Sequence, residues 1–231
     1  STFAANGTSF TGNPVLNVLD IRAASTVTSG TTTAGSLTFT TGNLTATGGV
    51  LKVTGAVTGA GAASHVIGSL RKDVAAGASV SKTWEVGNGT EYEPVTVVFA
   101  DATAGEVTAR VNVGHHADLA NSGLSTTKHV HDNWTLANSG TGFSSYSATF
   151  TFASVENAAD TTLFRVSKLS GTWALQTAGT RTTTTTEATG ITTPLGDFVV
   201  GELGDTTPPT NSFSLRKGDG SGAIAPADGA F

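Results

Sequence analysis

The chain has 231 residues, no cysteine, no methionine, a charged fraction of 13% and a formal net charge of -5. The absence of cysteine excludes disulfides and thiolate metal sites. Lys and Arg are scattered and form no basic patch, and no apolar run approaches the ~20 residues of a membrane-spanning helix. We therefore expect no nucleic-acid partner and no membrane insertion. The 29 glycines and the many Thr and Ser residues are typical of secreted β-proteins.

Residues 1–63 are predicted to form a region of short strands rich in Thr and Gly. Leu37, Leu44 and Leu51 recur every seven residues, each in a short alternating piece, and turns such as Gly48-Gly49 separate the pieces. Short strands joined by glycine turns are typical of β-solenoid coils. An irregular meander that caps the following domain is the alternative interpretation.

Residues 64–203 are predicted to form an antiparallel β-sandwich. In the clearest strand, 105–113, apolar residues at 107, 109, 111 and 113 alternate with polar ones. Similar strands recur along the chain, with turn signals between them and no amphipathic helix, and this pattern favours a sandwich. The predicted fold class is thus all-β: a short solenoid-like or meandering N-terminal part, an antiparallel sandwich and an extended C-terminal tail.

Residues 204–231 are predicted to form a linker and an extended tail. Pro208 and Pro209 cannot lie in a central strand, and the sequence beyond them is too small and polar for a core of its own. One alternating piece, Phe213-Ser-Leu215, is compatible with a strand. Extended segments of this kind add to exposed sheet edges through main-chain hydrogen bonds.

Several turn and strand motifs follow one another between residues 66 and 200. They include Val66-Ile-Gly-Ser-Leu-Arg-Lys72, Trp84-Glu-Val-Gly-Asn-Gly89, Tyr92-Glu-Pro-Val-Thr-Val97, Asn133-Trp-Thr-Leu136 and Ser170-Gly-Thr-Trp173. This succession resembles a β-sandwich module that follows Thr/Gly-rich β-repeats in secreted and surface proteins of Bacteroidota-type bacteria. The resemblance implies the sandwich fold and an extracellular or cell-surface location. It carries over no catalytic residues.

The histidines between residues 115 and 131 are the first candidates for chemistry. If 128–136 is one strand, His129 and His131 share its outer face at a spacing that lets two imidazoles reach one metal ion. His116 or Asp118 would supply a third ligand. The alternative, which we favour, is a pair of solvated histidines beside an exposed loop, so no cofactor is expected.

Catalytic motifs are otherwise missing from the sequence. It contains neither a Gly-x-Ser-x-Gly nucleophile elbow nor a His-Glu-x-x-His zinc motif. Glu91 and Glu93 flank Tyr92 at the start of a strand, where solvated charges are expected. We therefore predict that the protein is not an enzyme.

Trp173 is the candidate residue for binding surface glycans. Sugar rings stack on exposed aromatic side chains, and the other two tryptophans, Trp84 and Trp134, fall on inward-facing positions. Trp173 follows the Ser170-Gly171 turn, where exposure is more plausible. The competing interpretation places its ring in the core.

The terminal segments are the candidates for self-association. Phe3 and Phe10 at one end, and Phe213 and Leu215 at the other, lie in strand-compatible pieces that are able to pair with an open sheet edge of a neighbouring copy. A head-to-tail contact that does not close produces a filament. We expect a non-enzymatic extracellular structural protein, such as a surface or filament subunit whose partners are copies of itself. The alternative is an adhesion or carbohydrate-binding module of a larger surface protein.

Overall fold

The computed structural model describes residues 1–204, which are almost entirely β-structure. Within this range the helical elements are single turns of 3-10 helix, at Leu119–Asn121, Glu156–Ala158 and Thr161–Leu163. The all-β prediction is confirmed. No helix in this part of the chain is long and apolar enough to cross a membrane. Beyond Gly204, the predicted tail with Phe213 and Leu215 lies outside the described residues.

The first eight strands form a solenoid whose successive coils pair in parallel. They are β1 (Thr2–Ala5), β2 (Ser9–Phe10), β3 (Val15–Ile21), β4 (Ser25–Val27), β5 (Thr31–Phe39), β6 (Leu44–Val53), β7 (Val57–Thr58) and β8 (Val66–Val74). Hydrogen-bonded side chains join residues of neighbouring coils that are 17 to 22 positions apart, from Thr8 with Ser25 to Asn43 with His65.

Each coil contributes one strand segment to each of three walls. The first wall stacks β1, residues 18–21, residues 36–39 and β7. The second wall stacks β2, β4 and the first halves of β6 and β8. The third wall stacks residues 15–16, 31–34, 50–53 and 69–72. Inward-facing apolar side chains of all three walls form one continuous core.

The seven-residue recurrence of leucines is the step from wall to wall, not the repeat of the coil. Leu37 lies on the first wall, Leu44 on the second and Leu51 on the third, and all three side chains are fully buried. Their partners lie in neighbouring coils, as when Leu51 pairs with Leu70. The solenoid interpretation is therefore confirmed, with a coil about three times longer than the recurrence.

Corner glycines bring the backbone of one coil against the coil before it. Gly30 has a φ of +69°, and a Cβ there would lie 2.1 Å from the carbonyl oxygen of Gly12. Gly7 has the same φ, but no atom lies within 4 Å of its Cβ position. We expect Gly30→Ala to lower the free energy of unfolding by roughly 3 kcal/mol and Gly7→Ala by about 1 kcal/mol. Urea denaturation measures both; equal losses would show that the clash contributes nothing.

The remaining strands form the antiparallel part, apart from the short β10 (Val86–Gly87), which pairs in parallel with β8. They are β9 (Gly77–Trp84), β10 (Val86–Gly87), β11 (Val95–Ala102), β12 (Gly105–Asn112), β13 (Leu124–His129), β14 (Asn133–Ser139), β15 (Tyr146–Thr151), β16 (Arg165–Ser170), β17 (Thr172–Leu175), β18 (Thr177–Arg181), β19 (Thr185–Ile191) and β20 (Asp197–Leu203). One sheet continues from the solenoid in the order β8-β12-β14-β20-β16-β17, and the second has the order β18-β19-β15-β11-β9.

β8 joins the solenoid to the antiparallel part. It pairs in parallel with β6 and antiparallel with β12, and the short β10 adds to its other half in parallel. The hydrogen-bonded sheet therefore continues across the predicted boundary between residues 63 and 64. The division into separate domains stays a prediction.

The two sheets pack face to face through large aromatic side chains. Trp134 on β14 and Phe198 on β20 come from one sheet, and Phe150 on β15 comes from the other. The Phe150 ring centroid lies 5.1 Å from that of Trp134 and 4.9 Å from that of Phe198, and all three residues are fully buried. One detail of the prediction is wrong: β12 stops at Asn112, because the chain turns at Gly114, and Val113 is exposed.

Candidate functional site

The structure brings together a histidine cluster, which consists of His115, His131 and Glu156. His115 lies in the loop after β12, and His131 lies in the turn between β13 and β14. Glu156 begins a 3-10 turn, and a β-bridge between Val130 and Val155 places that turn beside His131. One possible ligand atom from each of the three side chains lies within 4.8 Å of the others.

His131 and Glu156 form a hydrogen-bonded pair within this cluster. The distance from His131 Nδ1 to Glu156 Oε1 is 2.6 Å. This hydrogen bond, with the nearby His131, His115 and His129 rings, lowers the pKa of Glu156. The ring of His115 packs edge to face on that of His131, with centroids 5.0 Å apart. Both members of the pair are partly exposed, so solvent screens their attraction.

The ring of His129 packs edge to face on that of His115, with centroids 4.6 Å apart, but His129 is not among the three possible ligands, contrary to the predicted metal site. β13 ends at His129 and β14 begins at Asn133, so 128–136 is not one strand, and the alternation of faces is lost in the turn. The His129 side chain is buried, and its two ring nitrogens lie 2.7 Å from the carbonyl oxygen of Val130 and 3.2 Å from that of Thr126. Both nitrogens are thus occupied by backbone groups.

His116 lies elsewhere, and with it the predicted set of His116, His129 and His131 is wrong. The Nε2 atom of His116 lies 3.5 Å from Asp197 Oδ2, and its Nδ1 accepts a hydrogen bond from the Asp118 N–H at 3.1 Å. The neighbours of His131 are instead His115 and Glu156. His115 and His116 are consecutive in the loop after β12, but their side chains have different neighbours. The alternation of faces along a strand does not apply to a loop, so it could not predict this difference.

The histidine cluster has donors that a zinc ion accepts, since Zn²⁺ binds imidazole and carboxylate groups. Nothing else in it points to a ligand. The cluster lies at the surface, and its carboxylate is already engaged by His131. Within residues 1–204, none of its nitrogen or oxygen atoms is buried without a hydrogen-bond partner. We interpret it as an exposed, hydrogen-bonded His–Glu pair with a second imidazole packed against it.

Trp173 on β17 is partly buried and held in place. Its Nε1 atom donates a hydrogen bond to Asp118 Oδ2 at 2.8 Å, and the ring of His116 packs against it at a centroid distance of 5.0 Å. Hydrogen bonds from Asn121 and Trp173 lower the pKa of Asp118. The indole also packs on a small apolar cluster beside β13. Trp173 is therefore neither a core residue nor a freely exposed platform.

A polar cleft opens on the other side of His116. Its volume is about 260 Å³, and its polar lining consists of Arg110, Asn112, His115, His116, Asn133, Thr135 and Asp197. Asn112 donates hydrogen bonds to Asn133 and Thr135, and Thr135 donates to Asp197. These contacts fix the amide and hydroxyl groups that face the cleft.

Phe3 and Phe10, the N-terminal candidates for assembly, lie in contact at the first coil. Their ring centroids are 5.6 Å apart in an edge-to-face arrangement. Phe10 is 5% exposed, whereas Phe3 is 41% exposed. The C-terminal candidates, Phe213 and Leu215, lie outside the described residues.

Sequence reasoning missed Glu156 as a member of the histidine cluster. It lies 25 positions from His131, and the contact depends on the bridge beside it. The 3-10 turn that holds it contains Asn157 with a φ of +48°, a conformation that no periodic pattern reveals. No signal in the sequence connects the two segments.

Comparison of the chain with protein-family models, with curated proteins and with solved structures found no match. The resemblance to bacterial surface modules therefore stays a prediction.

Proposed function

We propose that this protein is a non-enzymatic extracellular structural subunit that associates with copies of itself through strand contacts of its terminal segments. The observation that supports this proposal is the open end of the solenoid. In the described part of the chain, each strand segment of the first coil pairs on one side only: β1 with β3, β2 with β4, and residues 15–16 with residues 33–34. Unpaired strand edges are templates for pairing with another chain.

Apolar side chains accompany these open edges. Phe3 pairs with Leu19, so the two side chains point to the same side of the sheet, and Leu19 is fully buried in the solenoid core. Phe3 is exposed, and within residues 1–204 no further coil covers it. Val15, 80% exposed, adds a further apolar side chain at this end. A strand from a second copy would cover both groups.

The two ends of the solenoid differ, which favours head-to-tail association. At the far end, β8 is covered by its pairing with β12 and β10. A contact between unlike surfaces extends into a filament when its rotation does not close into a ring, and we expect the filament here. The alternating segment Phe213-Ser-Leu215 is the proposed donor strand, since extended peptides add to sheet edges. The extracellular setting rests on the composition and on the resemblance described above.

We expect the 231-residue chain to form oligomers whose size grows with concentration, seen by light scattering, and filaments in unfixed electron micrographs. Phe3→Glu and removal of residues 205–231 should each leave a monomer, because one removes the apolar contact and the other the donor strand. Leu175→Glu is the matched control, since Leu175 is 46% exposed on β17, away from the open end. A monomeric chain at all concentrations would contradict the proposal.

Carbohydrate binding is the second candidate function. The observation that favours it is the polar cleft beside His116, whose amide and hydroxyl groups are held by mutual hydrogen bonds and whose neighbour Trp173 offers part of an aromatic ring. We expect a monomer that binds glycans on an array and loses binding in Trp173→Ala and Asn112→Ala. Retention of glycan binding in both variants would exclude this cleft.

A further inference from the structure

Three acidic side chains meet where the solenoid joins the two sheets. Glu91 and Glu93 lie in the connection between β10 and β11, and Asp132 lies in the turn between β13 and β14. One carboxylate oxygen from each lies within 4.8 Å of the others. We call this group the acidic cluster. It does not include any residue of the histidine cluster.

The acidic cluster is buried, contrary to the expectation that Glu91 and Glu93 are solvated. Glu93 is 1% exposed and Asp132 is 2% exposed, whereas Glu91 is only partly buried. Two carboxylates are therefore almost completely removed from water, beside a third that faces solvent. Burying charged groups in this way is costly unless an opposite charge or hydrogen-bond donors compensate them.

Glu93 receives little such compensation from residues 1–204. Neither of its carboxyl oxygens has a well-formed hydrogen bond to an N–H or O–H donor in this part of the chain, and the side chain within reach of them is another acid, Asp132. The Ala153 N–H lies near enough to favour the ionised form weakly, but burial, followed by the negative charge of Asp132, raises the pKa of Glu93 to about 8. A fully buried carboxyl group thus faces two other acids.

Nearby positive charge does not account for the cluster. Within residues 1–204, the basic side chain beside the cluster is His131, whose Nε2 lies 3.9 Å from Asp132 Oδ1. The buried amine of Lys72 is paired with Glu85 instead. A neutral side chain connects two of the acids. The Asn88 Nδ2 atom donates hydrogen bonds to Asp132 Oδ2 at 2.6 Å and to Glu91 Oε2 at 3.1 Å.

The surrounding hydrogen bonds hold the acids in place without filling the space between them. Asn88 Oδ1 accepts from the backbone N–H groups of Thr90 and Glu91, each at 2.7 Å, and so fixes the loop. The Gly114 N–H donates to Asp132 Oδ1 at 2.8 Å, and the hydroxyl of Ser154 donates to Glu91 Oε2 at 3.2 Å. The cluster is therefore pre-organised, and the oxygens left over belong mainly to Glu93.

We propose that the acidic cluster binds one calcium ion, held by Glu91, Glu93 and Asp132. The donors are all oxygens, which suits a hard cation and not a transition metal. Oxygens on opposite sides of one Ca²⁺ lie roughly 4.8 Å apart, since Ca–O distances are about 2.4 Å, and the three ligand atoms fall within that span. Mg²⁺ requires a tighter octahedron and retains its water. The partly exposed Glu91 provides the way in.

A bound ion would connect the solenoid, the first sheet and the second sheet at one point. The β10–β11 connection links the last solenoid segment to the second sheet, and the β13–β14 turn belongs to the first sheet. Calcium would thus stiffen the junction between solenoid and sandwich. This inference does not depend on the proposed self-association, because the acidic cluster lies far along the chain from the open end and is measured on a single copy.

The first experiment titrates the chelator-treated full chain with Ca²⁺ alone by calorimetry. We expect one ion per chain and a rise in melting temperature of about 5–10 °C at saturation. Tb³⁺ replaces Ca²⁺ as a luminescent probe, excited through Trp134, whose Nε1 donates to the Glu93 carbonyl oxygen at 2.9 Å. Absence of binding heat, thermal shift and Tb³⁺ luminescence in the unmodified chain would overturn the proposal. A shared proton would then be the occupant.

Substitutions in the acidic cluster test where the ion binds. We expect Glu93→Gln and Asp132→Asn each to weaken Ca²⁺ binding at least tenfold, since each removes a ligand charge while keeping the side-chain shape. Glu156→Gln is the matched control and should bind as the unmodified chain does, because Glu156 belongs to the histidine cluster. Binding that survives both cluster variants, or that disappears in Glu156→Gln, would overturn the assignment. Circular dichroism checks that each variant folds, and the titration of the unmodified chain decides the matter if one does not.

Discussion

Trp134→Ala is expected to lower the free energy of unfolding by about 4 kcal/mol, a large fraction of the roughly 5–15 kcal/mol by which native domains are stable. Trp134 lies between the two sheets, is fully buried, and packs against Phe150 at a centroid distance of 5.1 Å. Its loss leaves a cavity at the centre of the sandwich. It also leaves the carbonyl oxygen of Glu93 without the indole N–H that it accepts at 2.9 Å.

The measurement is denaturation by urea, followed by circular dichroism. Trp173→Ala is the matched control, since it removes the same side chain from a partly buried position at the edge of the sheet. We expect that variant to lose about 1–2 kcal/mol. Equal losses in the two variants would contradict the view that the Trp134 contact holds the sheets together.

Lys72→Met should destabilise the protein by roughly 3–5 kcal/mol. Lys72 faces the solenoid interior on the third wall, where Ala34 and Val53 precede it in the same column. Its Nζ atom lies 2.5 Å from Glu85 Oε2 and donates to the Thr83 carbonyl oxygen at 2.8 Å. Burial lowers the pKa of Lys72 although Glu85 acts in the opposite direction. Removing the amine leaves Glu85 as an uncompensated charge in a nearly buried position.

A double variant separates charge from packing. Lys72→Met combined with Glu85→Gln should recover most of the loss, because replacing a whole buried ion pair is often nearly neutral. Lys52→Met is the control for a more exposed pair: it contacts Asp73 and Glu106 and should lose about 1 kcal/mol or less. Chemical denaturation measures all three variants. No recovery in the double variant would mean that the Lys72 stem, and not its charge, stabilises the coil.

Local periodicity was enough to predict the class of the fold. Residues 107, 109 and 111 are buried in β12, as their alternation indicates, because the side chains of a strand point to opposite faces whatever its partners are. The leucines at 37, 44 and 51 marked the solenoid for a similar reason, since each wall needs its own buried side chain. Their seven-residue spacing did not reveal the length of the coil, because the turns between walls do not follow the two-residue period of a strand.

The sites depend on contacts between distant segments, and there the sequence was a poor guide. Strand parity placed His129 and His131 on one face, but the chain turns between them, so one is buried against backbone carbonyls and the other meets Glu156. Glu93 has the sequence context of a solvated charge and is fully buried beside Asp132. Whether the edge of β1 is open likewise depends on which strands pair with it. Alternation reports which side of a strand is apolar, and that is enough for an all-β fold. Which strand lies next to which is set by long-range packing, and this alone decides whether a carboxylate meets water, a cation or another carboxylate.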